Sequence, residues 1–253
     1  MSSIGAVTLI GTLAGVIGTG LGGLVSIIAC NGHNRRLSFM LAFAGGIMLA
    51  VVFADLFPEA IDLGGIRTSV IGLALGVAML LLLDMYLPHS HFVNVDRSNR
   101  QDRFLHSSLL LGIGIAMHNL PEGLAIGASY TLSEHLGIGL AIILALHNIP
   151  EGMAMGSPMK VAGIRNWRIL LWTSLAGLPT GIGALAGALL GSVSPNMLSL
   201  ALGIAAGAMM YVTFDELLPE AHDLSDDTHS ATFGTVAGSI FGLLLILLLP
   251  EIQ

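Results

Sequence analysis

Long apolar windows recur along the whole chain, separated by short polar stretches. They predict helices near residues 4–29, 37–60, 67–87, 105–128, 135–158, 168–191, 196–221 and 230–250. Each window reaches or passes the roughly 20 residues that a helix needs to cross a bilayer core of about 30 Å. The uncharged run from Ile169 to Phe214 is too long for one helix and divides at Ser192-Val193-Ser194-Pro195-Asn196, a cluster of turn formers. The expected fold is all-α and integral to the membrane, with eight transmembrane helices in a single domain over residues 1–253. The first segment carries no charge from Met1 to Cys30, so it lacks the basic start of a signal peptide and reads as a retained span.

Charge then orients the spans. An even number of crossings puts both termini on one side, and placing them outside gives the cytoplasmic loops Arg35, Arg36, Arg97, Arg100, Arg103, Lys160, Arg165 and Arg168. Only Arg67 of the nine basic residues falls outside, a strong positive-inside bias. Apolar residues make up 54% of the chain and charged residues 10%, which leaves no length for a separate soluble domain. Sixteen acids against nine bases argue against nucleic-acid binding and favour cations as partners. The single cysteine, Cys30, excludes an internal disulfide and a thiolate metal cluster.

Two internal repeats refine the architecture. Gly46 to Leu63 aligns with Gly207 to Leu224 at ten identities in eighteen positions, relating span 2 to span 7. Ala116 to Gly127 aligns with Ala145 to Gly156 at eight in twelve, relating span 4 to span 5. Each pair is separated by an odd number of spans, so both repeats are inverted across the membrane. The layout expected is 3+2+3, with spans 1–3 mirrored by spans 6–8 about an axis between spans 4 and 5.

The central pair carries the chemistry. In His118-Asn119-Leu120-Pro121-Glu122-Gly123 the histidine and glutamate are four residues apart and project within about 40° of each other, with Asn119 about 100° from the histidine. Pro121 gives no N–H to the Met117 carbonyl and opens the backbone there. His147, Asn148, Pro150 and Glu151 repeat the pattern. Two such helices side by side gather imidazoles, carboxylates and amides around one small volume, a metal site. Imidazole with carboxylate suits zinc, iron, manganese, cobalt or cadmium, and an ion accounts for carboxylates otherwise costly in the membrane. The competing reading makes each motif a polar kink bonded only to itself, against which two inverted copies weigh heavily.

The paired HNLPEG and HNIPEG motifs, in an eight-span chain with histidines in the loop after span 3, resemble the ZIP family of metal transporters, with the bacterial GufA-like branch the nearest fit. The resemblance covers essentially the whole chain. It implies transport of divalent metal ions, zinc foremost and also iron, manganese, cobalt or cadmium, toward the cytoplasm, by alternating access of one helix group against another. It also implies a homodimer in the plasma membrane, with the metal as substrate and no organic cofactor. By motif, His118, Glu122 and Glu151 are the main ligands with His147 beside them, and Asn119 and Asn148 face a second, adjoining position. Many members have aspartate where this chain has Asn148, and a glutamate on span 6, whereas Ser174 to Gly181 holds no acid. One tightly held ion per protomer is expected instead of two.

Further acids mark the path. Asp55 and Glu59 near the outer end of span 2, and Glu216 and Glu220 near the inner end of span 7 with Asp215 and His222, form mirror-image gates that draw in and receive dications. The alternative is that these strings only end helices at the interface. In the cytoplasmic loop at 88–104, His89 and His91 stand on alternate residues as candidate metal collectors, with His106 nearby. Two rival functions remain open on residues alone. A passive metal channel needs the same ligands, and an intramembrane metal enzyme lacks here the Glu-x-x-His or His-Glu-x-x-His that such sites use.

Overall fold

The structure, a computed structural model, describes residues 3–29, 34–86, 100–190, 194–225 and 229–248. His89 and His91 lie outside the described residues. No strand occurs among those described, and seven helical stretches are long and apolar enough to cross a membrane. They form from α1 (Ser3–Ala29), α2 (Asn34–Val51), α3 (Phe57–Tyr86), α4 (Arg100–Leu132), α5 (Glu134–Val161), α6 (Asn166–Ala176), α7 (Leu178–Leu190), α8 (Pro195–Val212), α9 (Leu218–Asp223) and α10 (Ser230–Leu248).

The longest stretch, Asn34–Leu82, counts as one of the seven at 49 residues. It is broken at Gly65, whose φ of 76° and ψ of 162° no helix contains and which only glycine adopts without strain. The chain therefore turns between Gly64 and Ile66 with no polar linker, a few residues beyond the predicted end of span 2. Between α4 and α5 the connection is Ser133 alone, extended at φ −155°.

Two one-turn π segments interrupt the helices, Val52–Leu56 between α2 and α3 and Thr213–Leu217 between α8 and α9. They fall at matching positions of the first repeat. In each, the amide that follows reaches back five residues, Phe57 to the Val52 carbonyl and Leu218 to the Thr213 carbonyl. Pro58 and Pro219 come next and have no N–H, so each helix loses one backbone donor just after its π turn.

Packing falls into two groups. α1 and α4–α7 pack on one another, with α1 on α5 and α4 on α7 as the main seams, and α2, α3 and α8–α10 form the other group through α3 on α8 and α2 on α10. Contacts of α4 with α8 and of α2 with α5 join the two. Lipid tails are as apolar as leucine, so close backbone approach between small residues supplies much of the association. Gly152 lies against the Thr19 carbonyl, and Gly123 lies in the same way against the Thr180 carbonyl. Buried serines fasten the other group: Ser38 donates to the Ala221 carbonyl at 2.7 Å and sits 3.0 Å from the Ser230 hydroxyl, while Ser199 donates to the Ala60 carbonyl at 2.7 Å and sits 3.3 Å from the Ser69 hydroxyl.

Candidate metal site

α4 and α5 cross with their proline-containing turns face to face. Pro121 and Pro150 lie inside the helices without ending them. His118, Asn119, Glu122, His147, Asn148 and Glu151 are all at most 3% exposed. Six polar side chains at that depth would be prohibitive unless they satisfy one another or a ligand.

The two carboxylates differ in how far that condition is met. Glu151 is well partnered: its Oε1 lies 2.7 Å from His118 Nε2 and 3.1 Å from His147 Nε2. With its amide nitrogen turned toward these acceptors, Asn148 donates to Glu151 Oε2 and to the Leu144 carbonyl, each at 3.2 Å. Glu122 faces the same cluster, and neither of its oxygens accepts a hydrogen bond; the nearest imidazole nitrogen, His147 Nε2, is 3.8 Å away. One ligand atom from each of His118, Glu122 and Glu151 can be chosen so that all three lie within 4.8 Å of one another. A ring of two carboxylates and an imidazole with one acid left unpaired suits a dication of the zinc class.

Asn119 takes a different partner, donating to the Ala176 carbonyl at 3.0 Å. The reason is local to α6 and α7. The Thr180 amide, which would serve Ala176 in an unbroken helix, goes to the Gly177 carbonyl at 3.3 Å, and Pro179 has no amide to give. The freed Ala176 carbonyl stands where the span lacks an acid, and Asn119 is engaged with it. Asn119 Oδ1 and Thr180 Oγ1 are buried without partners.

Of the path residues, Asp55 lies half-buried in the first π turn, close enough to His147 and Glu122 to interact electrostatically, and Glu59 follows in the first turn of α3. Both sit inside a continuous helical run and not at a helix end. Glu216 and Asp215 occupy the second π turn, and Glu220 lies in α9. His222 is exposed, with Nδ1 2.9 Å from the Leu218 carbonyl of its own helix. The inner acids have neighbours that periodicity did not single out. Tyr211 donates to Asp84 Oδ2 at 3.3 Å, and Ser107 of α4 lies close to Glu216. No spacing rule in the sequence ties Asp84 to Tyr211 or to span 7.

Comparison with known proteins identifies the family. Residues 93–250 match the family described as ZIP Zinc transporter. Proteins named zinc transporter ZupT are 36% identical in an Enterobacter species (strain 638), and 35% identical in Salmonella paratyphi A and in Salmonella newport (strain SL254). Each aligns over 96% of this chain and 97% of the relative. The chain is a multi-pass membrane protein that belongs to the ZIP family, whose members are metal-ion transporters and not enzymes.

Proposed function

We propose that this protein carries divalent transition-metal ions, zinc foremost, across the plasma membrane toward the cytoplasm through the cluster between α4 and α5. The observation that carries the reading is Glu122: a buried carboxylate with no hydrogen-bond donor, facing a second carboxylate and an imidazole at ligand spacing. His118, Glu122 and Glu151 are the primary ligands in this reading and His147 a near neighbour. Asn119 and Asn148, committed to the Ala176 carbonyl and to Glu151, favour a single tight ion per protomer.

The membrane architecture that goes with it has eight spans, in a 3+2+3 order with both termini outside; the break at Gly65 inside the 49-residue stretch supports counting that stretch as two crossings. Inverted repeats are supported well beyond the aligned motifs. Under the alignment that pairs Gly46 with Gly207, Ser38 corresponds to Ser199, Ala60 to Ala221 and Ser69 to Ser230, so the two serine clusters are images of each other. Thr19 corresponds to Thr180, and the two glycines against them, Gly152 and Gly123, correspond under the central repeat. The two π turns match as well.

The two packing groups support alternating access. The ligands belong to α4 and α5, in the group with α1, α6 and α7, while Asp55, Glu59, Asp215, Glu216 and Glu220 belong to the other. Movement of the first group against the second exchanges which acid set adjoins the site. Outer acids attract the ion, the imidazole and carboxylates replace its water, and inner acids receive it. A homodimer and metal collection by His89 and His91 in the 88–104 loop complete the reading of residues 1–253 as one transporter domain.

Uptake into proteoliposomes containing a metal indicator tests it, comparing zinc, cadmium, manganese and iron(II) for wild type, His118→Ala and Glu151→Ala. Saturable flux lost in both variants supports the reading. Flux that never saturates makes the protein a channel, and unchanged flux in the variants makes the paired motifs structural.

A further inference from the structure

The membrane-facing side of α4 and α6 carries a groove of about 650 Å³ that the transport reading does not use. One wall is a stripe on α4 in which Leu105, Gly112, Ala116 and Leu120 recur at helical spacing, and the small pair in the middle gives the groove its depth. The other wall is a stripe on α6 and its continuation, running from Arg168 through Trp172 to Pro179. Met155 and Met159 of α5 close the floor, flexible side chains suited to an irregular chain. The walls are apolar except toward one end, where Arg168 stands and where Ser108 gives its hydroxyl to the Phe104 carbonyl of its own helix.

Length and charge together identify an occupant. From Leu105 to Leu120 the helix rises about 22 Å at 1.5 Å per residue. That is half of the roughly 40–45 Å of a bilayer with its headgroups, so the groove spans one leaflet from interface to midplane. Arg168 is at the interfacial end, is exposed, and has no carboxylate partner among the described side chains; its guanidinium stacks only on its neighbour Trp167, 5.4 Å from the ring centre. The connection that delivers it also bears Lys160 and Arg165, and no acid occurs from Gly152 to Phe214. Trp172 is 52% exposed one turn deeper, at the depth where indoles favour the membrane interface. A second copy that met this groove through its own α6 would bring no acid from that helix, because none occurs from Gly152 to Phe214.

We propose that this groove binds an anionic phospholipid, with one acyl chain along α4 and α6 and the phosphate on Arg168. The deep end of the chain meets Ala176 and Pro179, at the helix break whose free carbonyl holds Asn119. A filled groove therefore braces the span-6 kink against α4 from the lipid side. The proposal concerns the membrane face of these helices and stands whichever ion the central site carries.

The two tryptophans of the chain, Trp167 and Trp172, make it testable. In a Trp167→Phe background, Trp172 fluorescence is measured in phosphatidylcholine nanodiscs titrated with chain-brominated phosphatidylglycerol or chain-brominated phosphatidylcholine. The expected result is half-quenching at about fivefold lower mole fraction of the anionic lipid, the factor of about 1 kcal/mol that one basic residue is worth beside an anionic surface. Arg168→Gln, an exposed substitution that leaves the fold intact, abolishes the preference. Ala116→Phe fills the groove and raises both half-quenching points. Equal quenching by the two lipids, or a preference that survives Arg168→Gln, overturns the proposal. Weak quenching by both lipids with cross-linking between copies through α6 overturns it in favour of a protein partner.

Discussion

Replacing Glu122 and Glu151 in turn by methionine separates two roles that uptake alone cannot distinguish. Both variants lose a carboxylate from the cluster and both should lose transport and zinc-induced stabilisation. Their metal-free stabilities should diverge. Glu122 gives its two buried oxygens no donor, so methionine, of similar length and apolar, removes an unsatisfied group and leaves nothing newly stranded. Such replacements are near neutral or stabilising. Glu151 is bonded to His118 and accepts from Asn148, with His147 Nε2 beside it at 3.1 Å, and its loss strands the bonded groups at about 1–3 kcal/mol each and leaves His147 without its nearest carboxylate. A net cost of about 3–5 kcal/mol matches what breaking a buried pair usually costs. At roughly 2–4 °C per kcal/mol for a chain of this size, the Glu151 variant should melt about 10 °C below wild type. The Glu122 variant should melt within a few degrees of wild type or above it. The assay is thermal unfolding in detergent, with and without zinc at about 100 times its Kd, where wild type gains about 2.7 kcal/mol and neither variant does. Equal destabilisation of the two metal-free variants would refute the division into a held carboxylate and a free one.

Gly152→Ala pushes a methyl into the Thr19 carbonyl of α1, and Gly123→Ala does the same at Thr180, so each should lower the midpoint of unfolding by several degrees, whereas Gly65→Ala is strained by φ alone with open space around it. Calorimetric zinc titration of the metal-free protein should give one tight site per protomer, and a second tight site would show that Asn119 leaves the Ala176 carbonyl when metal binds. Glu59→Gln should raise the Km for zinc uptake more than it lowers the maximal rate, since an outer acid concentrates the ion without holding it at the centre. Tyr211→Phe removes the bond to Asp84 while keeping the ring, and should slow the maximal rate with little change in Km if the inner acids govern release.

What the sequence made legible was periodic or repeated. Apolar windows located the helices to within a few residues, and the central motif named the six side chains that the fold buries together, because a spacing of four on a helix fixes direction as well as position. Two features escaped for physical reasons. The π turns depend on where a proline removes donors and on how the neighbouring helix packs, so Phe-Pro-Glu and Leu-Pro-Glu read as helix ends although the helix runs on through Glu59. The partition of polar groups at the site is equally invisible: HNLPEG and HNIPEG are near-identical strings, yet Asn119 bonds to a carbonyl of α6 and Asn148 to Glu151. That asymmetry originates far away in sequence, at Gly177 and Pro179. The first-span counterpart of Ala176 is Gly15, whose carbonyl takes the Thr19 hydroxyl at 2.8 Å and so needs no asparagine. Near-symmetric motifs thus acquire different duties from unlike neighbours: Asn148 is released to orient Glu151, while Asn119 secures the broken helix. An ion held between them meets one carboxylate fixed in place and one free to close on it.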